Sequence, residues 1–364
     1  MTDVQALVLA PPQPAPAAAR LSKLSAYFGT PGNTVISVAS IVAILFVAKL
    51  AIGWLFIDAV FSGSGEACKL ASGACWPFVA QKMRYMLFGF YPYEEQWRPL
   101  SALLLLFGAC LFSMMPRFWS RGLLIAWIVV ILPVLYILMA GGVIGLTPVA
   151  TSNWGGLPLS FMLSFVGLTL ALPLGIVLAL ARASNLPAIR VLAVGFIEIV
   201  RGVPLISILF MATVMLPLFM PDGVTIDKLL RAQVAIILFA SAYIAEIVRG
   251  GLQDVPAGQV EAGKSLGLHY WQVMRKIVLP QALKKVIPPM VGLFIGFFQD
   301  TTLVTIVGLV DFLDTVRSAI RDPEWQGIAV LEGYLVAAAV YFTFSALMGA
   351  YSRFLEKHFR TTHA

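Results

Sequence analysis

Apolar residues fill the chain in long stretches that short polar clusters interrupt, from about residue 35 to residue 352. Eight runs are long enough to cross a hydrocarbon core of about 30 Å as helices. They lie near residues 35–60, 99–115, 122–145, 158–181, 202–220, 231–249, 287–309 and 328–352, the second and fifth being the shortest. The pattern predicts an all-α, polytopic membrane protein with about eight transmembrane helices. Composition agrees: 60% of the 364 residues are hydrophobic, 12% are charged, and the mean hydropathy is +0.90. A soluble surface needs far more charge than this. The net charge of +7 therefore speaks to orientation across a bilayer and not to nucleic acid.

The segments between the runs set that orientation. Residues 1–33 carry a proline cluster, lack the basic start of a cleavable signal peptide, and read as a disordered cytoplasmic tail. With the N-terminus inside, 16 of the 25 Lys and Arg fall on the cytoplasmic side, eight outside, and Lys49 within the first run. That bias places residues 61–98 outside and the long polar loop 250–286, with the short tail 356–364, in the cytoplasm. Cys68 and Cys75 sit seven apart in the external loop, where a disulfide or two free thiols are both compatible with the spacing. Cys110 lies in an apolar run.

The loop 250–286 contains GQVEAGKS (258–265), which fits the phosphate-binding pattern G-x-x-x-x-G-K-[ST] at every position. Its context argues against nucleotide. A turn-like GGLQDVPA precedes it where a strand is needed, and its interior is Gln-Val-Glu-Ala, with a carboxylate where phosphates would sit. The loop reads better as two helices. Pro256 suits a first turn, Val260, Ala262, Gly263 and Leu266 give a small apolar face, and Gly267 can take the left-handed conformation that ends a helix. A second helix begins near His269, with Trp271, Met274 and Val278 on one side and Arg275 and Lys276 on another; Pro280 and Pro288-Pro289 mark expected bends.

Glu261, Ala262, Gly267, Ile277, Leu279 and Pro280 fall at the spacings of the E-A-A-x-x-x-G loop of ABC importer permeases, which this stretch resembles. Gly263 stands where the third position is usually Ala, and that exchange creates the apparent phosphate loop. The stretches 154–182, 198–210, 242–259 and 297–308 look like the polar amino-acid branch of these permeases, and the extended chain resembles the M-type permease of general L-amino-acid importers. The resemblance implies a five-helix permease core at 151–355, with 34–150 as an accessory region of three helices. It implies a coupling helix around Glu261 that docks in a separate ATPase. That partner would bind ATP and Mg, while this chain would hold no cofactor or metal of its own and catalyse no chemistry. The implied partners are ABC ATPase subunits, a sibling permease, a periplasmic amino-acid-binding protein and membrane lipid. The implied setting is the bacterial inner membrane, both termini cytoplasmic, and the implied work is import of L-amino acids by alternating access.

Two polar groups stand inside apolar surroundings. EIVRG occurs at 198–202 and again at 246–250. Glu198 with Arg201, and Glu246 with Arg249, are each three apart on one helix face, placed for local ion pairs that anchor a helix or for gating. Gln299, Asp300, Thr301 and Thr302 interrupt a span, as a translocation-pathway element or as hydrogen bonds to neighbouring helices. An ion-gradient-driven secondary transporter, with Asp300 and Lys49 as coupling groups, is the alternative; it leaves the Glu261 loop unexplained. So does a non-transporting scaffold. No histidine lies in a span, which weakens an imidazole proton relay and metal ligation.

Overall fold

The computed structural model describes residues 27–118 and 120–361, so most of the expected 1–33 tail and the end of the 356–364 tail lie outside the described residues. The helices are α1 (Pro31–Ile57), α2 (Gly65–Leu70), α3 (Trp76–Phe88), α4 (Trp97–Met114), α5 (121–140), α6 (Gly156–Arg182), α7 (Pro187–Gly202), α8 (Leu205–Phe219), α9 (Lys228–Gln253), α10 (Ala257–Ser265), α11 (Tyr270–Val307), α12 (Phe312–Ile320) and α13 (Val330–Thr361). Among the described residues six helices are long and apolar enough to cross a membrane: α1, α4, α6, α9, α11 and α13.

The remaining two expected spans take other forms. The run at 202–220 is the second limb of a pair, α7 and α8, bent by 103° at a short break. The break falls at Val203-Pro204, where proline disfavours the helical region for the residue before it. Counted as one span, the pair makes seven. The run at 122–145 becomes α5, whose apolar helix Trp127–Ala140 contains a wide turn at Trp127–Ile131 immediately ahead of Pro133. Such widening accommodates a residue that has no N–H to give to the carbonyl four back.

Residues up to Pro77 and those from Phe78 onward form two compact units. The first is built on α1 and closed by a disulfide between Cys68 and Cys75, with Cα atoms 5.6 Å apart, and by Trp76 Nε1 donating to the Leu55 carbonyl at 2.8 Å.

The second unit is organised around α6 and α9, whose contact is the most extensive between any two helices. Small residues recur every fourth position along α6 at Gly167, Ala171, Gly175 and Ala179, and Ala171 and Ala179 are fully buried. A Cβ on Gly167 would lie 2.9 Å from Ile236 Cγ2, and one on Gly175 would lie 2.4 Å from Ile244 Cγ2 and 2.9 Å from the Ser241 carbonyl oxygen. The two backbones therefore approach as closely as side-chain-free surfaces permit. In lipid, where apolar burial gives helices no reason to prefer each other over acyl chains, this close contact supplies the attraction.

Aromatic rings close the other flank. Phe161 of α6 is buried among Phe107 of α4, Phe298 of α11 and Phe344 of α13, with ring centroids 5.0, 4.8 and 4.4 Å away. Arg98, fully buried near the start of α4, donates to the carbonyls of Leu138 (2.8 Å) and Thr147 (2.8 Å), so its guanidinium satisfies a free carbonyl in the last turn of α5 and one in the loop that follows.

The α6–α9 seam predicts an asymmetry between two glycines. Gly175→Ala should lower stability by about 1–3 kcal/mol through overpacking. Gly195→Ala on α7, where a Cβ meets nothing within 4 Å, should be neutral or gain about 0.5–1 kcal/mol. Comparing apparent melting temperatures of the two variants in one detergent checks this.

Candidate functional site

The loop that carries Glu261 is an elbow of two helices. Asp254 ends α9, its carbonyl and carboxylate both held by Lys285 Nζ at 2.6 and 2.7 Å. Extended Pro256 starts α10, and Gly267, at φ +74°, turns the chain before His269 opens α11. The expected left-handed glycine is therefore present, and a Cβ there would be strained. The whole GQVEAGKS match lies in or beside α10, so backbone N–H groups needed to cradle phosphate are engaged within a helix.

The inside of the elbow is a small core of Val255, Val273, Val278 and Ala282, with Leu252, Val260, Leu268 and Met274 against it. Gly263 is buried, and a Cβ there would lie 2.9 Å from Ile277 Cδ1 and 3.0 Å from Val273 Cγ2. Thus Gly263 and Ile277, fourteen positions apart in sequence, meet at the elbow's inner corner. Gln281 Nε2 ties the arms further, donating to Gln259 Oε1 at 3.3 Å and to the Ile277 carbonyl at 3.0 Å. The elbow is anchored to the bundle where Gly251 crosses α11; a Cβ there would sit 2.9 Å from the Ala282 carbonyl oxygen.

Two expectations for this loop need correction. The small apolar face divides: Val260 and Gly263 turn inward, whereas Ala262 and Leu266 face out, Leu266 being 79% exposed. On a helix, positions 260 and 263 share one side and 262 and 266 another. Trp271 does not share a side with Val278; it is 63% exposed, while Val278 is buried. A wide turn at Met274–Val278 re-phases the helix between them, just before Pro280. Pro280, Pro288 and Pro289, the expected bend positions, all lie within α11, which runs on past them. The outer surface of the elbow therefore presents Glu261, Ala262, Leu266, Tyr270 and Trp271, with Leu279 half-buried and Pro280 exposed at its base. The exposure of Leu266, Tyr270 and Trp271 was not legible in the sequence, where Leu266 and Trp271 each fall on an apolar helix face.

Beneath the elbow, the two EIVRG copies converge. Glu198 does not pair with Arg201, as sequence spacing suggested; Arg182 of α6 takes it, Nη1 to Oε1 at 2.9 Å. The same Nη1 reaches Glu246 Oε2 at 3.2 Å, and Arg201 Nη1 approaches that oxygen at 3.6 Å. Arg249 Nε donates to Glu246 Oε1 at 2.8 Å, the expected local pair. Glu246 is thus a hub for guanidiniums from α6, α7 and α9. Arg201 also lies over the Tyr243 ring, 5.6 Å from its centroid. Arg182 escaped the sequence reading because nothing in the chain order marks a cation sixty-four residues before Glu246 as its partner.

At the other end of α6 lies the second polar group. Gln299 Nε2 donates to Ser345 Oγ of α13 at 3.2 Å, and buried Thr301 Oγ1 donates to the Phe298 carbonyl at 2.8 Å. Gln299 and Thr302 line an open cavity of about 380 Å3 with Tyr334 and Tyr341. Asp300, half-buried at the end of the regular part of α11, has no hydrogen-bond or ion-pair partner among the described residues. Nearby, fully buried Asp311 caps α12, accepting from the N–H groups of Asp314 (3.0 Å) and Leu313 (3.2 Å) and from the Tyr341 hydroxyl (3.3 Å). Burial pushes its carboxyl up to about 6, against the lowering effect of those N–H groups. Among the described residues no three His, Cys, Asp or Glu side chains converge to hold a metal ion.

Comparison with known proteins bears on these sites. Residues 171–361 match the family described as binding-protein-dependent transport system inner membrane component. The inner membrane amino-acid ABC transporter permease protein YhdY of Escherichia coli K12 is 48% identical over 315 residues, covering 85% of this chain and 84% of that protein. The glutamate/glutamine/aspartate/asparagine transport system permease protein BztC of Rhodobacter capsulatus is 34% identical, covering 92% of each chain. Among solved structures, a chain from a crystal structure of an amino acid ABC transporter with histidines aligns with a TM-score of 0.50 at 30% identity, over 56% of this chain and 92% of that one.

Two outcomes test the electrostatics. Glu246→Gln leaves three guanidiniums without their shared carboxylate and should cost about 1.5–3 kcal/mol, the scale of hydrogen bonds to charged groups. Glu198→Gln, which loses one partner on a half-exposed side chain, should cost less; thermal unfolding of both variants decides. Asp311 has a folded-state value above its unfolded one, so its contribution is full below about 3.8 and is lost as pH rises through about 6. Asp311→Asn keeps a capping oxygen, and should remove that fall from the pH profile of stability when compared with the parent.

Proposed function

The chain belongs to the inner-membrane permeases of binding-protein-dependent transport systems, and from that membership we propose how this one works. It is a permease subunit of a binding-protein-dependent ABC amino-acid importer, non-catalytic itself, with ATP hydrolysed by a partner subunit. The system implies an ATPase and a binding protein. The secondary-transporter alternative is set aside by that membership.

The elbow 250–286 is the coupling element. Its projecting outer face, Glu261 and Ala262 beside exposed Leu266, Tyr270 and Trp271, is the observation that supports this reading. A cleft in the ATPase would receive the apolar patch, with Glu261 giving a directed charge. Gly263, Ile277 and the left-handed Gly267 keep the two arms at a fixed angle, so motion of the ATPase passes to α9 and α11 instead of being absorbed. Leu279 and Pro280 carry that motion into the span. The Glu246 hub joins α6, α7 and α9 beneath the elbow, which suits a role in transmitting or gating the movement through Glu198, Arg201 and Arg249 as well.

ATP binding, in this scheme, closes the ATPase pair, opens the spans toward the binding protein, and hydrolysis resets the inward-open state. The elbow then faces the cytoplasm with both termini, and residues 61–98 face outward. The Cys68–Cys75 disulfide fits that placement, because disulfides persist on the oxidising side. Residues 151–355 act as the core and 34–150 as an accessory region, whose α4 packs on the core through Phe107. The chain occupies one half of the pore beside a sibling permease, in the manner of the M-type subunits of general L-amino-acid importers. Asp300, unpartnered among the described residues, and Thr302 at the cavity face the pathway; Gln299, at the same cavity, and Thr301 are tied to neighbouring helix and backbone and support it.

Purification of the tagged chain from its native host in mild detergent, followed by mass spectrometry, tests the assignment. The parent should recover an ATPase and a second permease. Glu261→Ala combined with Gly267→Pro should lose the ATPase, since proline cannot adopt the φ of +74° there, while retaining the fold of the spans. Equal recovery of the ATPase from both would remove the elbow from the coupling role.

A further inference from the structure

A cleft of about 600 Å3 opens on the flank of the second unit, between α6, α11 and α13, with the end of α4 at its rim. Leu172, Met290, Phe294, Met348 and Leu355 give it apolar walls. Two of its hydroxyls already have protein partners: Ser113 Oγ donates to the Ala109 carbonyl at 2.7 Å and the Tyr351 hydroxyl to the Met114 carbonyl at 3.3 Å. One lining residue is charged. Lys284 stands at the elbow end of the cleft, exposed, without an ion-pair partner among the described residues; its neighbour Lys285 is committed to Asp254.

The cleft also has a defined depth. From Lys284 to Phe294 the lining follows α11 for ten residues, about 15 Å of helix rise. That is half of a hydrocarbon core of about 30 Å, the thickness of one leaflet. A transmembrane helix from another chain would run the full thickness, whereas an acyl chain ends at the midplane. An ammonium at the interface end, with apolar walls down to the midplane, matches a lipid that carries negative charge on its headgroup.

We propose that this cleft is a binding site for one anionic phospholipid, its acyl chain between α6, α11 and α13 and its phosphate on Lys284. The lipid fills the space that the α4 end, α11 and α13 leave open and braces α11 from Leu283 onward, just beyond the elbow. The assignment rests on the cleft's geometry and charge and does not depend on what the chain transports.

The test uses the full chain in discs made from equal parts phosphatidylglycerol and phosphatidylethanolamine, with retained lipids counted by native mass spectrometry after release into mild detergent. The parent should retain one lipid per chain, phosphatidylglycerol over phosphatidylethanolamine by about five-fold, the scale of one lysine near a membrane surface. Lys284→Gln should bring the two lipids to parity while retention persists, and Lys285→Gln should leave the preference intact. Leu172→Trp fills the cleft and should abolish retention; if it does not fold, Met348→Phe makes the same test from the opposite wall. An unchanged preference in Lys284→Gln overturns the headgroup assignment. Undiminished retention in a folded cleft-filling variant overturns the site, and recovery of a second polypeptide cross-linked in the cleft in place of lipid does so too.

Discussion

The close approach of α6 to α9 is the constraint on which the rest of the second unit depends. Gly175 leaves Ile244 room to lie against the α6 backbone, and Ala179, one turn on, is buried in the same seam. Together they set the register between the two helices. Arg182, three residues beyond Ala179, then arrives beside Glu246, two residues beyond Ile244. A bulkier residue in the seam would separate the backbones and leave Glu246 short of a partner. Van der Waals contact between small residues thus determines an electrostatic hub that contact alone would not stabilise.

The hub in turn explains the elbow's footing. Glu246 gathers cations from three helices whose ends would otherwise repel one another, and it does so about two turns before α9 ends. Gly251 then crosses α11 at backbone distance, and Lys285 caps the end of α9 from the other arm. By the time the chain reaches Pro256, both arms are fixed by contacts outside the loop. The small core around Val273 and Ala282 has only to hold the angle. A rigid lever on a fixed base is what a permease needs if the work of a separate ATPase is to reach the pore.

The far end of the unit follows a different logic. There the polar groups are partly committed to structure: Asp311 caps α12, Ser160 accepts the Phe312 N–H at 3.0 Å, and Gln299 binds α13 through Ser345. Thr302 and the rest of the Gln299 side chain line an open cavity. Adjacent positions at this helix end point in different directions, so Thr301 turns inward to the Phe298 carbonyl while Thr302 meets the cavity.

Local patterning determined much of this protein. Uninterrupted apolar length marked the membrane helices, because lipid offers the backbone no other partner. The spacing of Glu261, Gly267 and Ile277 marked the elbow, because a left-handed glycine and a contact across one tight turn between helices depend on near neighbours. Tertiary structure decided what distance in sequence conceals. It made the run at 202–220 the second limb of a bent pair with α7, and it re-phased the elbow at Met274–Val278 so that Trp271 faces outward. It replaced the Glu198–Arg201 pair with one to Arg182, and it gave Glu246 three cations in place of one. The physical reason is the same in each case. Helix phase and local pairs are fixed within a few residues, but which charge meets which across the bundle waits on how closely α6 and α9 can pack.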